Sequence, residues 1–116
     1  MKKLRNYLIG LDQGSELMFS DFQHEGEMWT GEGPRESRRP IRFSEPFRGA
    51  PVVHVSLSML DLDHARNHRT DLRAENVTAT GFELVFRTWG DTRVARVRAD
   101  WLAMGEARHP DDWDID

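Results

Sequence analysis

Residues 80–101 read TGFELVFRTWGDTRVARVRADW. Phe82, Leu84 and Phe86 fall on one face of an extended segment, with Glu83, Val85 and Arg87 on the other. After the polar turn Trp89-Gly90-Asp91-Thr92, the residues Ala95, Val97, Ala99 and Trp101 alternate with Arg96, Arg98 and Asp100. A period of two is the signature of a half-buried strand, so the stretch predicts a β-hairpin with one face in a core. Gly90-Asp91 suits a connection that needs positive φ. Trp89 does not share the face of Phe82, Leu84 and Phe86. It stands at the strand end, where an indole either caps the core or contacts a ligand.

Working outward, Pro51 to Asp61 is the next clear strand, with Val53, Val55, Leu57 and Met59 alternating with His54, Ser56 and Ser58. Arg69 to Val77 reads as a polar strand with a weak apolar face, and Ile41-Arg42-Phe43 begins another. Glu16 to Phe22 reads as a short edge strand. Between Gly26 and Pro40 three glycines and two prolines stand among charged residues, which predicts a long loop holding Met28-Trp29. About six short strands, turn signals between them and no helix predict an all-β fold, an antiparallel β-sandwich. Residues 1–14 are expected to form an N-terminal arm or attachment segment, 15–106 the sandwich domain, and 107–116 an acidic tail.

Composition narrows the function. The 116 residues suffice for one domain with a modest core. A net charge of −4 opposes general affinity for nucleic acid, which wants a basic surface. No apolar run approaches the ~20 residues that span a bilayer, so membrane insertion is not expected. The basic start is not followed by a long apolar stretch or small-residue cleavage site, so no signal peptide is expected. Cysteine is absent, which leaves packing and oligomerisation to supply stability.

The motifs of common enzymes are missing. There is no G-x-S-x-G, no phosphate-binding Walker loop and no H-E-x-x-H. His64 and His68 are four apart, but in an expected loop and strand start rather than on one helix face, so no metal site is assigned. Neither an enzyme nor a cofactor is expected. A sugar site asks for less: an aromatic face against C–H groups and planar hydrogen-bonding groups against hydroxyls. Trp89 is a candidate for the first, Arg69 for a fork of donors, and Glu32 for an acceptor. Against these stand a rim tryptophan, an ion-paired strand arginine and an ordinary loop carboxylate.

The landmarks Ile41-x-Phe43, Pro46-Phe47, Pro51-Val52-Val53, Leu60-Asp61, Arg69, Val77, Gly81-Phe82, Thr88-Trp89, Asp91-Thr92, Val94 and Trp101-Leu102-Ala103 together resemble the H-type lectin domain, over roughly residues 29–104. That resemblance implies a six-stranded antiparallel β-sandwich that forms a homotrimer and binds galactose-type sugars, especially N-acetylgalactosamine, without catalysis. It implies sites between protomers, with Arg69 as the sugar-contacting arginine, Trp89 as the aromatic of the T-W segment and Glu32 in place of a sugar-binding Asp. Gly90 stands where the snail agglutinins have a His beside the Trp, and Ala95 where they have an aromatic that packs on the sugar. The expected partners are cell-surface glycans, galactose-type or a capsular polysaccharide, met outside the cell or on an assembled particle. The alternative is an adhesive spike or fibre subunit of a phage-like particle, docked through its N-terminal arm.

Overall fold

The computed structural model describes residues 1–5, 8–21 and 26–108. Six strands and one helical turn follow in order: β1 (Ile9–Ser20), α1 (Glu27–Thr30), β2 (Arg35–Arg42), β3 (Val52–Leu62), β4 (Asp71–Glu75), β5 (Gly81–Thr88) and β6 (Val94–Glu106). They form two three-stranded antiparallel sheets, ordered β1-β6-β3 and β2-β5-β4. The expected six-stranded all-β sandwich is thus the fold.

The expected hairpin over 80–101 is not. β5 pairs with β2 and β4, whereas β6 pairs with β1 and β3, so the two segments lie in different sheets. The connection 89–93 arches from one layer to the other. The alternating faces are core as expected: Phe82, Leu84 and Phe86 on one sheet, and Val97, Ala99 and Trp101 on the other, are buried. A period of two says which side chains go inward. It is the same whether consecutive strands lie side by side or stack face to face.

The expected loop from Gly26 to Pro40 also carries structure. Glu27–Thr30 make a helical turn, and β2 is already paired with β5 from Arg35. Its first three inward positions, Arg35, Ser37 and Arg39, are polar and only the fourth, Ile41, is apolar, so the strand gives no apolar alternation. Arg39 and Ser37 donate to the carbonyl of Met18 instead. Pro40 is tolerated because β2 is a sheet edge with no partner strand on that side among the described residues.

β1 begins at Ile9, earlier than the expected edge strand, and pairs with β6 along its whole length. It therefore takes in residues 9–14 of the expected arm. Phe22, the end of that expected strand, lies outside the described residues, as does the tail from 109. Gly14 faces Trp101 in register, and a Cβ there would stand 2.6 Å from the indole Nε1. Glycine is the residue that lets this ring lie against the strand. Trp101 then packs edge-on to Phe82 at 5.5 Å, beside Phe43, which meets Phe47 at 5.0 Å. These rings fill one end of the core, near the Arg42–Gly81 pair. The other end, near Arg35 and Thr88, holds Phe86, Met18 and Met28, with α1 laid across it. The candidate site is built on this second end.

Candidate functional site

The site starts from a buried arginine. Arg35 is 7% exposed and has no carboxylate in contact among the described residues. Its guanidinium donates to backbone carbonyls: Nε to Gly33 at 2.9 Å, Nη1 to Met28 at 3.2 Å, and Nη2 to Thr92 at 2.8 Å and Gly90 at 3.2 Å. One side chain thereby ties α1, the loop before β2 and the 89–93 arch together. Burial lowers its affinity for a proton, an effect opposed by the nearby charges of Glu27 and Glu32.

The arch is held from its other side by two threonines. Thr92, fully buried, donates its hydroxyl to the carbonyl of Asn67 at 2.6 Å and accepts the backbone N–H of Arg69 at 3.1 Å. Thr88 donates to the carbonyl of Arg69 at 2.6 Å. The backbone of Arg69 is therefore clamped between the end of β5 and the arch. Its side chain meets Asp91, Nη1 to Oδ1, at 2.7 Å, and Asn67 donates to the same carboxylate at 3.3 Å. Burial opposes ionisation of Asp91, but the hydrogen bonds from Arg69 and Asn67 outweigh it and hold the carboxyl below the ordinary aspartate range. Nε and Nη2 of Arg69 remain without a partner among the described residues.

Gly90 has a φ of +69°, the left-handed region that glycine enters without cost. A Cβ at this position would also lie 3.2 Å from Nη1 of Arg69. The glycine is thus both the turn residue and the reason the guanidinium can lie flat against the arch. Trp89, immediately before it, is 44% exposed. By alternation along β5 its ring lies on the outer side of the β2-β5-β4 sheet, with Arg87.

Arg69, Trp89 and Gly90 are therefore brought together. Glu32 is carried to the same end, since the next residue, Gly33, donates its N–H to the carbonyl of Gly90 at 2.9 Å. The Glu32 side chain makes no ion pair with Arg69, whose carboxylate partner is Asp91. Asp91, Thr92 and Arg35 are site residues that the sequence does not announce as such. The first two are visible only as part of the W-G-D-T turn, and Arg35 looks like one charge in a polar loop. No cluster of three potential metal ligands exists among the described residues. His68 places a ring nitrogen 3.3 Å from the carbonyl of Asp63. Ala95, where the resemblance expects a sugar-packing aromatic, is buried.

Comparison with known proteins agrees with this architecture. The sequence profile described as the H-type lectin domain matches residues 38–104, more than half of the chain. "ATP synthase subunits region ORF 7" of Fuscovulum blasticum is 57% identical over 108 residues, which cover 93% of this chain and 94% of that protein. Discoidin-2 of Dictyostelium discoideum is 32% identical over 77 residues, covering 65% of this chain. The matched region spans only 30% of discoidin-2. Among solved structures, recombinant discoidin II of Dictyostelium discoideum superposes with a TM-score of 0.74 at 23% identity, over 89% of this chain and 39% of that one.

Proposed function

Because the chain belongs to the H-type lectin domain family, we propose that it is a non-enzymatic carbohydrate-recognition module, binding galactose-type sugars, N-acetylgalactosamine above all, at the end of the sandwich that carries Trp89 and Arg69. One observation carries the reading. The exposed Trp89 precedes Gly90, against which the Arg69 guanidinium lies. Asp91 holds that guanidinium, two threonines hold the Arg69 backbone, and two of the Arg69 side-chain nitrogens have no partner among the described residues. A galactose-type sugar presents an apolar C–H patch to an aromatic face and vicinal hydroxyls to a planar donor fork, so each half of the site has a counterpart. Glu32, on the loop tied to Gly90, is the proposed acceptor for a further hydroxyl. Gly90 leaves room there that a side chain would fill.

A single shallow sugar site binds weakly, because few atoms are buried and ordered water is displaced. The trimer expected of the family would raise the avidity by about 10²–10⁴ where spacing matches. The outer face of the β1-β6-β3 sheet suits such an assembly. Leu11, Met104 and Val52 lie in one row across its three strands, beside Leu102, with exposures of 42–68%. Contiguous apolar surface of this kind marks an interaction face.

A glycan array tests the proposal. Binding is expected to galactose-type glycans, and Arg69→Ala and Trp89→Ala are each expected to weaken it at least tenfold, about 1.4 kcal/mol, with the fold intact. Normal binding by both variants would place the site elsewhere.

A further inference from the structure

Trp89 closes one end of a second feature. An open groove of about 360 Å³ runs from its ring along the outer face of the β2-β5-β4 sheet. Outward-facing charged groups line it: Arg73 and Arg87 against Glu36 and Asp71. Arg35 also borders it, but its guanidinium is turned inward and spent on backbone carbonyls, so two outward arginines stand against two carboxylates. The groups are not equally committed. Arg87 spends Nε on Glu36 at 3.0 Å and Nη1 on Glu75 at 2.9 Å. Glu36 is also held by Arg38 at 2.6 Å, and its carboxyl is pushed below the ordinary range by that bond. Arg73 uses only Nε, on Asp71 at 2.8 Å, and its side chain is 63% exposed. Its two terminal nitrogens have no partner among the described residues.

We infer that this groove is a second subsite for the saccharide unit next to the one held by Arg69, and that it selects an anionic unit bearing a carboxylate or sulfate. The inference rests on the proposed sugar site, because the groove and that site share the Trp89 ring. A glycan whose terminal sugar packs on one part of the indole must leave along the surface around it, and the groove is the concave path that begins there. An uncharged unit would gain little from a guanidinium already solvated by water. An anionic unit gains a charge-assisted, planar pairing with the free fork of Arg73. The site is open to solvent, so the gain is modest and falls with salt.

Isothermal titration at low ionic strength tests this with three probes: N-acetylgalactosamine, N-acetylgalactosaminyl-β1,4-glucose, and N-acetylgalactosaminyl-β1,4-glucuronate. The two disaccharides contrast a neutral with an acidic second unit behind the same terminal sugar. The acidic disaccharide is expected to bind about three- to fivefold more tightly than the neutral one. Arg73→Gln should abolish that ratio and leave N-acetylgalactosamine affinity unchanged, whereas Asp71→Asn, which releases Arg73, should widen it. Equal affinities for the two disaccharides, or a ratio that survives Arg73→Gln, overturn the subsite while leaving the primary site standing. No binding of any probe overturns both.

Discussion

Arg35 decides whether the site has a shape. A backbone carbonyl left buried without a donor costs about 1–3 kcal/mol, and Arg35 serves several on three separate segments. Arg35→Met, which keeps much of the volume, is therefore expected to lower stability by about 3 kcal/mol in urea unfolding and to weaken sugar binding without touching a sugar. Asp91 gives a second expectation at this scale. Its folded-state proton affinity lies below the ordinary aspartate value, and those of Glu36, Glu75 and Asp100 are lowered too. The unfolded state then binds protons more readily than the folded one. The stabilisation is complete above the ordinary carboxylate range and is lost as the pH falls through the lowered folded values. The urea midpoint should be flat near neutrality and drop on acidification, and Asp91→Asn should flatten part of that slope. The difference between what is legible in the sequence and what is not is clearest at these residues. Trp89 and Gly90 announce themselves by type at a turn, and Arg69 by its place among the family's landmarks. Arg35 does not, because a buried arginine satisfied by carbonyls has the same letter as a solvated one.

Strands are legible wherever apolar residues alternate, and fail to be legible elsewhere for a physical reason. β3, β5 and β6 alternate because one face meets the opposite sheet. β2 does not, because its inner face carries Arg35, Ser37 and Arg39. Val85 shows the converse. It alternates with the inward residues of β5, yet is wholly buried on the outer side, flanked in register by Arg38 on β2 and Arg73 on β4. Long arginine stems cover apolar surface while their heads stay in water. Sheet partnership is not legible at all, as the arch between β5 and β6 shows. The outer face of the β1-β6-β3 sheet carries the prediction at this scale. Met104 is 42% exposed in the central strand of that face. Met104→Glu should leave the fold intact and shift the mass in solution from a trimer to a monomer by light scattering. A trimer that persists in the variant would move the interface off this face.

The whole molecule divides its labour between its two sheets. One presents an apolar row suited to copies of itself. The other presents a surface of interleaved charges, where Arg38 meets Glu36, Glu75 and Glu83, and ends in the Trp89 site. Both sheets converge on the 89–93 arch, so the core, the site and the proposed assembly are parts of one scaffold. Among the described residues no helix is long and apolar enough to cross a membrane. The sugar site proposed at Trp89 and Arg69 is the feature on which the other expectations depend. The most direct measurement is a titration of the ¹⁵N-labelled chain with N-acetylgalactosamine, following its four tryptophan indole signals by NMR. The Trp89 signal, assigned from Trp89→Phe, should shift saturably, and the shift should vanish in Arg69→Ala while the buried Trp101 signal stays where it was. A Trp89 signal that does not move, or that moves equally in Arg69→Ala, would mean that these two residues do not form a sugar site.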